Sequence, residues 1–252
     1  MYGGEGDIVS PPVFLAATAA LAGERVRLEG PEGRHAATVR RLRAGERVDV
    51  TDGLGLLVEC VVVSVVGKDV VELEVVGRRS AAAPRPRLVV VQALPKGDRG
   101  ELAVETMTEV GVDEIVPWAA ARCVTQWRGD RGGKALARWR STAREAGKQA
   151  RRSWLPEVAD LATTAEVTSR LAGAACAVVL HEEATTPLTG LKVPVEGEIV
   201  VVVGPEGGIT PEELAAFERS GGVPALLGPT VLRTSTAGVA AAAVLLAAIG
   251  RW

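Results

Sequence analysis

VVVGPEGGITPEEL, residues 201–214, carries a run of valines into a helix signature through Gly204, Pro205, Glu206, Gly207 and Gly208. A residue without a Cβ lets backbone N–H and C=O groups approach a partner closely. One reading is therefore a ligand loop that works through its backbone. The other is a tight strand-to-helix turn: Thr210 suits the N-cap, Pro211 the first helical position, and Glu213 completes a capping box. The turn reading accounts for Thr210 to Glu213 and leaves the Pro-Glu-Gly-Gly before it unexplained, so on these residues alone both stand. The spacing is neither GxxxxGK[ST] nor GxGxxG, which leaves out a P-loop and a dinucleotide fingerprint.

A second stretch, LGPTVLRTSTAGVAAAAVLLA (residues 227–247), places Arg233 between a Gly228-Pro229 turn and a nearly all-apolar helix. Thr234, Ser235 and Thr236 read as capping residues. A cation is not needed there for solubility, and an arginine so placed pairs with an acid or an anionic ligand. In a third stretch, GKALARWRSTAREAGKQARR, residues Leu136, Trp139, Ala143, Ala146 and Ala150 make an apolar stripe. Arg140, Arg144, Lys148 and Arg152 recur there at a step of four, as a basic stripe. From Arg131 to Arg152, eight Lys or Arg stand against Glu145 alone. Such a surplus is either a solvated face or a phosphate-binding one. Glu101, Glu105 and Glu109 recur at helical spacing and read as a solvated acidic face rather than paired general acids.

Other chemistries find little support. With only His35 and His181 and no GxSxG, a Ser-His-Asp hydrolase is disfavoured. Cys60, Cys123 and Cys176 lie far apart without a CxxC, which disfavours a zinc site or a redox dithiol and suits a reducing cytoplasm. The first residues, MYGGEGDIVS, do not read as a signal peptide, and the longest apolar run, residues 237–250, is too short for a bilayer. With 47% apolar and 24% charged residues and a net charge of -2, the chain reads as globular, and any nucleic-acid surface must be a local patch.

These residues need elements to position them. GRRSAAAPRPR (residues 77–87) reads as a linker. Before it, RVDVTDG and LLVECVVVSVVGKDVVELEVVG predict short strands in a β-rich domain over residues 8–78. After it, RLVVVQAL, DEIVPW, CAVVLH, EIVVVVG and VPALLG alternate with helix candidates, the first opened by Asp98 as N-cap. That alternation predicts an α/β domain over 85–252 with a parallel sheet covered on both faces. Ligands bind such sheets at the carboxyl ends of strands, where Gly204–Gly208 and Gly228–Thr234 both fall.

LPKGDRGELAVETMTEVGVDEIVPW, ARWRSTAREAGKQARR, and the pair VVVGPEGGITPEE and LGPTVLRTSTA, in this order, resemble the bacterial ribosomal RNA uridine-N3 methyltransferases (RsmE type). These belong to the SPOUT class of knotted methyltransferases. GRHAATVRRLRAGERVDVTDGLG is similar to that family's PUA-like RNA-binding domain, and the resemblance runs from about residue 12 to the end. Family members often carry Arg-Thr-Glu-Thr-Ala where Arg233-Thr234-Ser235-Thr236-Ala237 stand, and methionine at the place of Gly100.

The resemblance implies a C-terminal α/β domain with a trefoil knot and an N-terminal β-rich PUA-like domain. It implies S-adenosylmethionine held by Gly204, Pro205, Glu206, Gly207, Gly208, Leu227, Gly228, Val231, Leu232 and Thr234, with Leu180, His181 and Glu182 as rim, and no metal. Arg233 would be catalytic, a fixed cation beside uracil that favours loss of the N3 proton. His35, Arg40, Arg41, Arg140, Arg144, Lys148, Arg151 and Arg152 would hold small-subunit ribosomal RNA, naked or in the assembled subunit. A cytoplasmic homodimer is implied, the small residues of Ala237 to Ala248 suiting close packing. Two alternatives remain: a SPOUT enzyme for another RNA atom such as a ribose 2'-hydroxyl, and a non-catalytic RNA-binding ribosome-assembly protein.

Overall fold

A computed structural model describes residues 10–252; the first two residues of the expected N-terminal domain lie outside them. The chain forms two compact units. The first runs to Ala83 and takes in Arg151–Trp154, and the second comprises Pro84–Ala150 and Leu155–Trp252.

The first unit is a five-stranded sheet built from β1 (Val13–Leu15), β2 (Arg25–Leu28), β3 (Arg47–Thr51), β4 (Leu56–Val66) and β5 (Val70–Ser80), in the order β1-β3-β4-β5-β2. A short helix, α1 (Gly30–Arg34), runs into a π-helical turn, His35–Val39. On β4, Val58, Cys60 and Val62 are buried, as are Val71 and Leu73 on β5, the period of two that puts one face on a core. Burial, with Asp49 adding repulsion, pushes the Cys60 thiol up to about 11, so it is a packing residue rather than a nucleophile. The expected linker is shorter than its composition suggests. Gly77, Arg78, Arg79 and Ser80 pair with Glu59, Val58, Leu57 and Leu56, because a neighbouring strand offers them a ladder.

The second unit places helices around a six-stranded parallel sheet. In chain order its elements are β6 (Arg87–Ala93), α2 (Arg99–Val110), β7 (Glu114–Trp118), α3 (Gly129–Gln149), β8 (Glu157–Val158), α4 (Thr164–Gly173), β9 (Cys176–Leu180), β10 (Glu198–Val203), α5 (Pro211–Arg219), β11 (Val223–Ala225) and α6 (Thr234–Ala248). The strand order is β11-β9-β10-β6-β7-β8, and every pairing is parallel. Leu88–Val91 and Ile199–Val203 are buried without alternation, as strands covered on both faces must be. Asp98 stands at the N-cap of α2, but its carboxylate makes no capping bond. The small residues of α6 have a packing reason. A Cβ at Gly238 would lie 2.8 Å from Met107 Sδ of α2, so the glycine lets these helices meet.

The amino ends of the central strands are tied by charge. Glu114, almost fully buried, accepts two 2.6 Å bonds from Arg170 and makes an ion pair with Arg87 at 2.8 Å. Both arginines also reach Glu198, and Arg87 reaches Glu157. Burial alone would draw the Arg170 pKa down; Glu114 and Glu198 more than offset it and hold it above its ordinary value. Removing Glu114 takes away the buried acceptor the two arginines share and leaves them, both partly exposed, to Glu198 and solvent. Glu114→Ala is expected to cost about 2 kcal/mol of stability, the scale of hydrogen bonds to a charged group, measured by urea denaturation of the whole chain.

Candidate functional site

Five loops gather at the carboxyl ends of the strands, and a buried carboxylate joins three of their segments. Glu213 of α5 is 6% exposed. Its Oε2 accepts from the Thr210 N–H at 3.1 Å, and its own N–H donates to Thr210 Oγ1 at 3.2 Å, which is the capping box its spacing predicts. Its other oxygen does something the spacing does not reveal. Oε1 accepts from the Ala121 N–H at 2.8 Å, in the loop after β7, and from Thr164 Oγ1 at 3.1 Å, at the start of α4. Thr164 in turn accepts from Trp118 Nε1 at 3.2 Å.

The Gly204–Gly208 loop follows β10 and is tied along its length. Gly208 adopts φ +74°, a left-handed conformation that favours glycine, and donates to the Pro205 carbonyl at 2.9 Å. Glu206 Oε1 accepts from the Lys96 N–H at 3.1 Å, and the Gly207 carbonyl accepts from Arg122 Nη1 at 3.0 Å. The glycines answer to this packing. A Cβ at Gly204 would come within 2.8 Å of Ile209 Cγ1, and one at Gly207 within 3.0 Å of Arg122 Cβ. At these two positions the space a side chain needs is filled by the protein itself.

Gly228, in the loop after β11, differs. Nothing lies within 4 Å of the place its Cβ would take. Leu227 and Gly228 are half-buried, and the N–H groups of Leu227, Gly228, Val231 and Leu232 make no hydrogen bond among the described residues. Half-buried amides without partners beside open space make a backbone cradle for a ligand with acceptors. The rim is held by the loop after β9: the His181 N–H donates to the Ala225 carbonyl at 3.1 Å, and Leu226 exchanges bonds with Thr186 and Leu188 at 2.8 Å. His181 Nδ1 accepts from the Glu183 N–H, while Glu182 is exposed. The candidate residues at Leu180–Glu182, Gly204–Gly208 and Leu227–Thr234 thus lie at the ends of adjacent strands, β11, β9 and β10.

Arg233 is the N-cap of α6, its carbonyl accepting from the Thr236 and Ala237 N–H groups at 2.9 Å. Its guanidinium is exposed and has no hydrogen bond or ion pair among the described residues. The backbone beside it is fixed by Gln92 at the end of β6, fully buried, whose Nε2 donates to the Thr234 carbonyl at 3.3 Å and the Ala93 carbonyl at 3.0 Å. Gln92 Oε1 finds no donor. Among the described residues no group of three or more His, Cys, Asp or Glu is arranged to hold a metal. A hollow of about 290 Å³ lies at the opposite end of β9 and includes Cys176 and Lys192.

The basic stripe of α3 requires correction. Lys148 is 3% exposed and paired with Glu145, and Arg140 bonds the Val158 carbonyl and Asp160. A step of four overshoots the helical turn by about 40° each time. By Lys148 the row has rotated onto the buried face, and Arg152 lies beyond the helix end. Arg144 alone of the four is exposed with no partner among the described residues. Arg151 donates to the Pro11 carbonyl and Arg152 to that of Trp154, both within the first unit. There too, Arg40 and Arg41 are exposed, while His35 is half-buried with its ring edge-on to Phe14 at 5.8 Å.

Known proteins share this arrangement. A family described as RNA methyltransferase domain matches residues 82–246, and one described as RNA methyltransferase PUA domain matches residues 28–76. A ribosomal RNA small subunit methyltransferase E from Mycobacterium bovis is 47% identical over 89% of this chain and 87% of its own, and one from Bacillus subtilis 29% over 83% and 85%. The crystal structure of the protein of that name from Neisseria gonorrhoeae, bound to S-adenosyl methionine, superposes with a TM-score of 0.84 at 26% identity, covering 95% of this chain and 98% of that one.

Glu213 is the test of the site's architecture. Glu213→Leu leaves the Ala121 and Thr210 amides and the Thr164 hydroxyl without their acceptor, at about 1–3 kcal/mol for a buried group so orphaned. The expected result is a loss of about 3 kcal/mol, with faster hydrogen exchange in residues 119–125 and 204–210 and little change in the first unit.

Proposed function

The chain belongs to the ribosomal RNA small subunit methyltransferase E family, and we propose that it transfers the methyl group of S-adenosylmethionine to N3 of a uridine in small-subunit ribosomal RNA. The observation that carries this reading is the strand-end cradle. The N–H groups of half-buried Leu227 and Gly228 have no partner among the described residues, the Cβ side of Gly228 is open, and an exposed arginine with no acid partner among those residues stands five residues further on. The fit to the cofactor is good. Adenine offers ring acceptors to the free amides of Leu227, Gly228, Val231 and Leu232, and the open side of Gly228 leaves room for the ring.

The bound cofactor supplies an electrophilic methyl on a sulfonium. This chain's residues must place the uracil in line with it and favour loss of the N3 proton. Arg233 is read as the group that does so: its guanidinium stabilises the negative charge developing on the base without accepting a proton. The Gln92 bond to the Thr234 carbonyl keeps the Arg233–Thr234 turn in place. Arg144, and Arg40 and Arg41 in the PUA domain, are read as RNA-backbone contacts. The C-terminal segment is read as the trefoil knot. Support comes from the bridge between Pro187 and Leu226 and from α6 packing on β6, β10 and the turn Leu188–Gly190. A homodimer acting in the cytoplasm completes the reading, with Val231 and Leu232, both exposed, suited to a subunit contact.

The activity is tested on small-subunit particles from a strain lacking this protein, with the methylated atom mapped by mass spectrometry. Label on a ribose 2'-oxygen, or none, would overturn the N3 assignment. Arg233→Ala is expected to keep cofactor affinity within a few-fold and to lose roughly two to three orders of magnitude in turnover, partly restored at higher pH, where the N3 proton leaves unaided. Gly228→Ala separates ligand space from packing space: the melting temperature should hold, since nothing in the protein meets the new Cβ, while calorimetry should record weaker S-adenosylmethionine binding.

A further inference from the structure

The loop after β7 brings a guanidinium onto the Gly204–Gly208 loop. Arg122 is exposed, and its Nη1 donates to the Gly207 carbonyl at 3.0 Å. That bond uses one of five N–H groups, and among the described residues no carboxylate pairs with the others. The Arg122 backbone also passes close to Gly207, its Cβ and carbonyl oxygen 3.0 Å and 3.3 Å from where a Cβ of that glycine would be. The bond to Gly207 orients the guanidinium and leaves its other N–H groups on an exposed side chain. Next to Gly207 in the same loop, Glu206 accepts from the Lys96 N–H, and the Lys96 ammonium is exposed with no partner among the described residues. At the start of the helices that follow, Arg99 opens α2, Arg128 is the N-cap of α3 and Arg131 lies in its first turn, and none of the three makes an ion pair among the described residues.

An exposed arginine is ordinarily solvated, at little cost and for no reason beyond solubility. Arg122 departs from that pattern because its guanidinium is oriented by a backbone carbonyl of the cofactor loop and lacks the acid that would neutralise it. A fixed fork takes an anionic oxygen group bidentately. The sources are a phosphate of the RNA and the carboxylate of the cofactor. The phosphate fits better: Arg122 is exposed, and further cations without an ion pair among the described residues stand at the loop end before α2 and at the starts of α2 and α3, as a polyanion requires and a single carboxylate does not.

We propose that Arg122 is a substrate-positioning residue. While Nη1 holds the Gly207 carbonyl, the remaining N–H groups take a backbone phosphate beside the target uridine, so that RNA capture and the setting of the Gly204–Gly208 loop are one event. This rests on the reading of the chain as an RNA methyltransferase. The test compares wild type with Arg122→Ala, Arg122→Gln and Arg122→Lys on unmethylated small-subunit particles. Each is measured for KM, kcat, the salt dependence of particle binding, and S-adenosylmethionine affinity by calorimetry. Arg122→Ala should raise the KM for particles about tenfold, a loss of one good charge-assisted contact, and flatten the log-log salt slope by about one. Cofactor affinity should stay within about threefold, a change smaller than the loss of one ordinary hydrogen bond. Arg122→Gln, which keeps a donor for the Gly207 carbonyl without the charge, should match Ala in salt slope, and Arg122→Lys should keep the slope and recover part of the KM. An unchanged slope with weakened cofactor binding would assign Arg122 to the cofactor carboxylate or to loop bracing, and overturn the proposal. An unchanged slope and KM would overturn it equally. A wild type that binds particles but methylates nothing would sink the activity reading instead, and the salt slope would still decide Arg122.

Discussion

A carboxylate taken out of water must be satisfied by fixed dipoles, and the site is organised around one such group. Glu213 faces three neutral donors from three separate segments and no cation among the described residues. Its charge is therefore held by orientation alone, and any slackening of the loops would expose it to an uncompensated desolvation cost. The loops after β7 and β10 and the start of α4 are bound to one another through this single side chain. The Gly204–Gly208 loop inherits its position from it, since Ile209 and Thr210 follow directly, and Arg122 stands one residue from Ala121. A cradle built from backbone groups has no side-chain rotamers to adjust, so its geometry is only as good as the support of the loops that carry it.

The glycines of the site divide by physical cause. Gly204 and Gly207 admit no Cβ because the protein already fills the space, and Gly208 requires a backbone conformation that side chains resist. These three serve the folding of the loop. At Gly228 neither constraint operates, and what remains is room next to unpaired amides. Only the last leaves room that a ligand could take, although in the sequence all four look alike.

That distinction marks where the sequence stops being legible. Alternation of valine runs with amphipathic stretches was enough to read the parallel sheet, its strand ends and the position of Arg233, because those patterns are local. The Thr210–Glu213 capping box was equally plain, and its plainness concealed the second oxygen of Glu213, whose partners lie 92 and 49 residues away. Arg122 sits in ARCVTQWRGD, which has no period to distinguish it. Lys148 was misplaced by treating a step of four as a straight row. The first four residues of the apparent linker became strand because β4 was there to receive them, which composition cannot anticipate. Gln92 offered a signal, a polar residue after an unbroken apolar run from Leu88 to Val91, but its partner at Thr234 belongs to the far end of the chain.

The sheet has a consequence for how the protein comes into being. Its two central strands, β6 and β10, are paired across 111 residues between Arg87 and Glu198. During synthesis at about 5–20 residues per second, roughly five to twenty seconds separate the emergence of the first from that of the second. For that interval β6 has an open edge of valines with no ladder on one side, the kind of surface that recruits other chains. Contacts so distant also slow the final closure once all the chain is present. The strand-end loops are the last parts to acquire their neighbours, so the newly made molecule has a sheet before it has a site. Whatever binds across those loops acts late in assembly, on a chain otherwise complete.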